Sequence, residues 1–126
     1  LVWMTDLGKV THLARDFAQR ANILVLESNY CPRMLENSPR PYSLKSRIKG
    51  SHGHLSNADA VALLKTMDCS VSEKIYLAHI SRECNSVPHI RELLSDVGEI
   101  LPKIEIVPPF SESSAPYDDG EDWLFP

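Results

Sequence analysis

Four polar residues stand at the ends of apolar runs or beside a helix start, and their types suit metal binding and proton transfer. Asp6 follows Leu1-Val2-Trp3-Met4, Glu27 follows Ile23-Leu24-Val25-Leu26, and His79 follows Ile75-Tyr76-Leu77-Ala78. His54 stands two residues before Ser56, where a helical pattern starts. In α/β proteins ligands gather at the carboxyl ends of strands and in the loops that follow. The four residues are therefore expected at one site. Asp6 and His79 offer the carboxylate oxygen and imidazole nitrogen that zinc takes. Two donors do not close a zinc site, which needs about four. Of the other histidines, His12 and His89 fall on predicted helices. Glu27 and His54 suit a different task. A carboxylate that accepts a hydrogen bond from a ring N–H fixes the imidazole tautomer and favours its protonated form. Such a pair can hand a proton to a leaving oxygen. Plain structural roles are also open: a turn bond for Asp6, loop N–H partners for Glu27, packing on a helix start for His54, and a strand-end hydrogen bond for His79.

The elements that must position these groups follow from periodicity. Leu1 to Met4 and Ile23 to Leu26 are aliphatic enough to predict strands buried on both faces. Leu13 and Phe17, with Ala14 and Ala18, predict a helix over 10–20 between them. Strand, helix and strand with short links make a βαβ unit and imply parallel strands. Pro32, Pro39 and Pro41 break the stretch 28–53, leaving room for short helices over 33–37 and 43–49. Tyr42, Leu44 and Ile48 give that stretch something to pack with, so it reads as ordered. Ser56 with Asp59 starts a helix to about 67, and Lys74 to Ala78 is the third strand. Ser86 and Pro88 start another helix, whose buried face is Ile90, Leu93, Leu94, Val97 and Leu101. Ile104 to Val107 reads as a fourth, edge strand before Pro108-Pro109.

The chain of 126 residues is long enough for one domain with a core, and 43% apolar content with 24% charge is that of a soluble globular protein. No apolar run reaches the roughly 20 residues of a membrane span, and no signal peptide is visible. Cys31, Cys69 and Cys84 form no CxxC pair, which fits a reducing, cytoplasmic setting. Net charge is −4 but uneven. Residues 31–50 hold Arg33, Arg40, Lys45, Arg47 and Lys49 against Glu36 alone, a basic arm that suits a phosphate-bearing substrate. The acid-rich end, 111–126, reads as a mobile tail behind a domain of 1–110. A chain that starts without Met, inside an apolar strand, reads as a piece of a longer one.

Thr5-Asp6-Leu7-Gly8, Leu26-Glu27-Ser28-Asn29-Tyr30, Gly53-His54-Leu55-Ser56-Asn57 and His79-Ile80-Ser81-Arg82-Glu83-Cys84-Asn85 together resemble the second half of a metallo-β-lactamase-fold hydrolase. The resemblance runs over about 1–108 and is nearest the WalJ/YycJ-type exonuclease branch, related to PhnP-type phosphodiesterases and to ribonuclease Z. It implies an α/β fold: half of an αββα sandwich, a mixed sheet with flanking helices. It implies two divalent metal ions, zinc or manganese, with Asp6 bridging them and His79 on the second. Glu27 and His54 would be the proton-donor pair. Ser81, Arg82, Arg47 and Asn57 would line the substrate. The family's His-x-His-x-Asp-His cluster is absent, so the remaining ligands would lie outside this chain, in an N-terminal half. The expected activity is phosphodiester cleavage, on nucleic acid or a small phosphodiester, with a homo-oligomer an open option and no membrane partner. The alternatives are a non-catalytic interaction module or inactive half-domain, and a metallo-hydrolase of a non-phosphate ester or lactam.

Overall fold

The computed structural model describes residues 1–109. The expected tail 111–126 lies outside the described residues. The aliphatic runs form strands β1 (Val2–Met4), β2 (Ile23–Glu27), β3 (Lys74–Ala78) and β4 (Ile104–Ile106). They pair in the order β1-β2-β3-β4, every pair parallel. Parallel neighbours need crossovers, and helices supply them. Helix α1 (His12–Arg20) links β1 to β2; α2 (Pro32–Glu36), α3 (Tyr42–Lys49) and α4 (Asn57–Thr66) lie between β2 and β3; α5 (Val87–Leu93) precedes β4. The fold is α/β, as expected. The mixed sheet that the resemblance implies is purely parallel among the described residues, because every strand returns through helix and none through a hairpin.

Register explains which face holds the core. Val2, Leu24, Ile75 and Ile104 form one cross-strand row, and Met4, Leu26, Leu77 and Ile106 the next row on the same face. Ala18 of α1, Val61 and Leu64 of α4 and Ile90 of α5 belong to the same core. Leu24, Leu26, Ile75 and Leu77 are fully buried there, each worth about 1.5–3 kcal/mol of transfer. A one-residue slip would turn both rows outward, so this face fixes the register of the strand ends that carry the site. The opposite face carries Trp3, Val25, Tyr76 and Glu105 in one row. Trp3 is 61% exposed. Burial of β1 on both faces is thus corrected: among the described residues β1 is an edge strand covered on its helix side and not on the other.

Three further expectations change. On α1 the buried stripe is Ala14 and Ala18, while Leu13 and Phe17 point outward; small side chains let the helix lie close to the sheet. The helix expected to run to Leu101 stops at Leu93 and continues as two 3-10 turns, Leu94–Asp96 and Gly98–Lys103. Gly98 at φ 90° cannot continue a right-handed helix, and Leu101 ends up exposed. The proline-broken stretch is ordered, with a small core of Tyr30, Leu35, Ile48 and Cys84 and Leu44 against it, but Tyr42 is exposed. Ser56 and Ser86 cap their helices as read from sequence, accepting from the backbone N–H of Asp59 (3.1 Å) and His89 (3.2 Å).

Two glycines press the loop after β1 against the loop after α3. Gly8 N–H donates to Ser51 O at 3.1 Å, and a Cβ there would run into the backbone of Gly50 and Ser51. A Cβ on Gly53 would run into the carbonyls of Arg47 and Ile48. His54 N–H donates to that Ile48 carbonyl at 2.9 Å. We expect Gly53→Ala to cost about 1–3 kcal/mol, the usual range for overpacking. At Gly50 an added Cβ meets Arg47 O at an ordinary 3.4 Å, so Gly50→Ala should be close to neutral. Urea unfolding of both variants checks this, and equal losses would contradict the packing account.

Candidate active site

The carboxyl edge of the sheet brings three of the four groups together. Asp6 lies two residues past β1, Glu27 ends β2, and His79 follows β3 directly. Glu27 pairs with Ala78 in the ladder, which sets His79 one residue beyond it. His54 arrives from the α3–α4 loop. Donor atoms of all four lie within 4.8 Å of one another.

Glu27 is the centre of the group and is fully buried. Its Oε1 accepts the backbone N–H of Asp6 at 2.6 Å. Its Oε2 accepts from His54 Nδ1 at 2.6 Å, and His79 Nδ1 lies 2.8 Å from the same oxygen. The His79 contact is close but not aligned as a hydrogen bond: neither ring nitrogen of His79 has a hydrogen-bond partner among the described residues, and both are buried. Burial pushes the Glu27 carboxyl up, but the hydrogen bond to His54, the approach of His79 and the charge of both rings outweigh it. The net effect holds Glu27 below the usual carboxylate range, so it stays ionised. The two rings meet edge-on, with centroids 5.0 Å apart at 70°.

Asp6 is the outward-facing member, its side chain 52% exposed, with Oδ1 3.4 Å from His54 Nδ1 and 3.9 Å from His79 Nδ1. Asp6 and His79 also share a backbone conformation that non-glycine residues rarely adopt, with φ of 62° and 59°. Such conformations cost on the order of 1–3 kcal/mol each and gather at functional sites. Sequence reasoning missed this strain. The sole signal was Asp6 two residues before Gly8 in a turn, since Asp tolerates the left-handed region; nothing marks His79.

A buried polar network, also missed, anchors these loops. Ser28 Oγ donates to Asn57 Oδ1 (2.6 Å), Asn57 Nδ2 to Asn85 Oδ1 (2.7 Å), and Asn85 Nδ2 to Ser28 O (2.9 Å). Asn29 Nδ2 donates to the His79 carbonyl at 2.7 Å, and Ser81 N–H to the Asn29 carbonyl at 2.9 Å. Ser81 Oγ accepts from Cys84 N–H at 3.0 Å. Two residues expected at the substrate, Asn57 and Ser81, belong to this network. Asn57 and Ser81 are buried and their polar atoms face the protein, because a loop that turns inward at the site must satisfy its own backbone. Arg47 on α3 is exposed and Arg82 half-buried.

The donor set fits a cation in part. Asp6 offers an exposed carboxylate, and His79 offers ring nitrogens that nothing in the described protein satisfies. Glu27 and His54 are already committed to each other. Two ligand positions are thus ready, half of what zinc needs.

The chain is similar to curated exodeoxyribonucleases. The exodeoxyribonuclease YycJ of Bacillus anthracis is 34% identical over 99 residues, 79% of this chain and 38% of the relative. The exodeoxyribonuclease WalJ of Streptococcus pneumoniae is 35% identical over 85 residues, 67% of this chain and 31% of the relative. The chain therefore spans well under half the length of these relatives. No family model matches, and no solved structure matches.

Glu27→Gln tests the centre of the site. An amide has one accepting oxygen, so the substitution strips either Asp6 N–H or His54 Nδ1–H of its partner. Leaving a buried donor unmade costs about 1–3 kcal/mol. We expect a loss of that size in denaturant unfolding; an unchanged midpoint would mean that the carboxylate does not hold these segments together.

Proposed function

We propose that the whole protein is a metal-dependent exonuclease of the metallo-β-lactamase fold, cleaving phosphodiester bonds in DNA, to which this chain contributes one half of the site. One observation carries the reading: an exposed carboxylate and an unsatisfied buried imidazole, Asp6 and His79, stand beside a buried ionised carboxylate that holds a second imidazole, His54. The names of the two relatives, both exodeoxyribonucleases, support the substrate class. Among the described residues Trp3, on the sheet's second face, is 61% exposed, which fits a second sheet packing there, as an αββα sandwich requires.

Asp6 and His79 would hold divalent ions, zinc or manganese, with further ligands from outside this chain. When bound, such ions activate water and offset the charge of the scissile phosphate. His54 keeps its Nδ1–H on Glu27 and gives a proton from its other ring nitrogen to the leaving oxygen. The ionised Glu27 accepts that Nδ1–H and orients the ring for transfer. Arg47 and Arg82 contact substrate phosphates, as guanidinium groups do well. Asn57 and Ser81 keep the loops in place.

Two outcomes test this. Asp6→Ala in the whole protein should lose bound metal by elemental analysis and nearly all activity; full metal content would sink the ligand assignment. His54→Ala should keep metal but lower turnover on DNA by roughly 10²–10⁴-fold, the range of general acid catalysis. A nitrophenyl phosphodiester, whose leaving group needs no proton, should be cleaved almost normally. Equal losses on both substrates would remove His54 from the proton-donor role.

A further inference from the structure

The connector between α2 and α3 hides a charged side chain that the chemistry above does not use. Arg40 stands between Pro39 and Pro41, and its side chain is 6% exposed. Its Nε donates to Glu83 Oε1 at 2.7 Å. Its Nη2 is buried with no hydrogen-bond partner among the described residues. Burying a guanidinium is costly, and an apolar pair of similar volume often stabilises as well or better. Stability alone therefore does not explain Arg40. What it joins suggests a reason.

Glu83 lies in the loop that begins at His79. That loop is also tied to the head of α2, where Cys31 N–H donates to the Cys84 carbonyl at 2.8 Å. On its other side Arg40 runs through Pro41, the N-cap of α3, into that helix. The far end of α3 carries the Ile48 carbonyl that accepts His54 N–H at 2.9 Å. No room remains there for a Cβ on Gly53. Helix α3 is thus a short strut with His54 at one end and the Arg40–Glu83 pair at the other. Leu44 and Ile48 seat it on the small core with Tyr30, Leu35 and Cys84.

We propose that Arg40 is a positioning residue for His54: its ion pair with Glu83 locks α3 to the His79 loop and so sets the distance and angle at which His54 meets the leaving oxygen. The inference rests on the proton-donor role proposed above. A misplacement near 1 Å is enough to matter, since errors of that size cost up to about 100-fold in rate.

The test uses the whole, metal-loaded protein and the variants Arg40→Met, Arg40→Met/Glu83→Met and His54→Ala. The double variant removes both charges, so no unpaired, half-buried carboxylate is left in the loop. Expected are unchanged metal content, a fall in kcat on DNA of roughly 10- to 100-fold, and nearly full turnover of the nitrophenyl phosphodiester at saturation. The His54 ring nitrogen resonances should shift in both Arg40 variants, which a remote structural ion pair would not cause. Arg40→Lys should recover part of the rate, since it keeps the charge without the fork. Equal kcat losses on both substrates, a raised KM at constant kcat, or unmoved His54 resonances would overturn the proposal. If His54→Ala discriminates between the substrates and the Arg40 variants do not, Arg40 alone is reassigned. If His54→Ala itself shows no discrimination, the proton-donor reading falls and this inference with it.

Discussion

A single carboxylate, that of Glu27, is the constraint on which the site depends. It is charged and wholly enclosed, an arrangement that costs several kcal/mol unless every lone pair is engaged. Its engagement is what ties the site: Oε1 takes the Asp6 backbone, Oε2 takes His54, and His79 leans on the same oxygen. Three segments far apart in sequence are thereby brought to one point at the end of β2. The left-handed backbone at Asp6 and His79 is tolerable because each is gripped from the inside, Asp6 by Glu27 and His79 by Asn29 through its carbonyl. A site assembled this way is rigid before any ligand arrives, which is what preorganised catalysis requires.

The same arrangement divides the labour between two pairs. Glu27 and the Nδ1 of His54 are engaged with each other, while the Asp6 carboxylate is half exposed and the His79 ring nitrogens have no hydrogen-bond partner among the described residues. All four donor atoms are nonetheless close enough to surround one ion. What argues against a four-donor site is the cost of undoing Glu27. Turning it toward a metal would release the Asp6 N–H and the His54 ring from their shared partner, and leaving a buried donor unmade costs about 1–3 kcal/mol. The half-filled donor set of Asp6 and His79, together with the open sheet face, fits a site completed by chain beyond these residues.

Much of the placement was legible in the sequence because polar residues that end aliphatic runs have few other places to go. Asp6, Glu27 and His79 follow from that pattern, and Ser56 and Ser86 were readable as caps. The rest turned on tertiary context. Alanines, not Leu13 and Phe17, face the sheet from α1, since closeness of approach outweighs side-chain hydrophobicity there. Burial of β1 depended on its edge position, which no local pattern encodes. Asn57 and Ser81 were expected at the substrate through the resemblance alone; their hydrogen-bond partners Ser28, Asn29 and Asn85 come from distant loops that no local pattern links to them. Arg40 was read as part of a basic arm suited to a phosphate-bearing substrate; it is buried and paired with Glu83 instead, a partner more than forty residues away that no local pattern reveals.

The most direct measurement is a crystal structure of the whole protein loaded with zinc or manganese, with the ions located by their anomalous scattering. The account expects an ion on the Asp6 carboxylate and on a His79 ring nitrogen, at about 2.0–2.2 Å, with the Glu27–His54 hydrogen bond intact beside it. An ion coordinated by Glu27 or His54 would contradict the division into a metal-holding pair and a proton-donating pair.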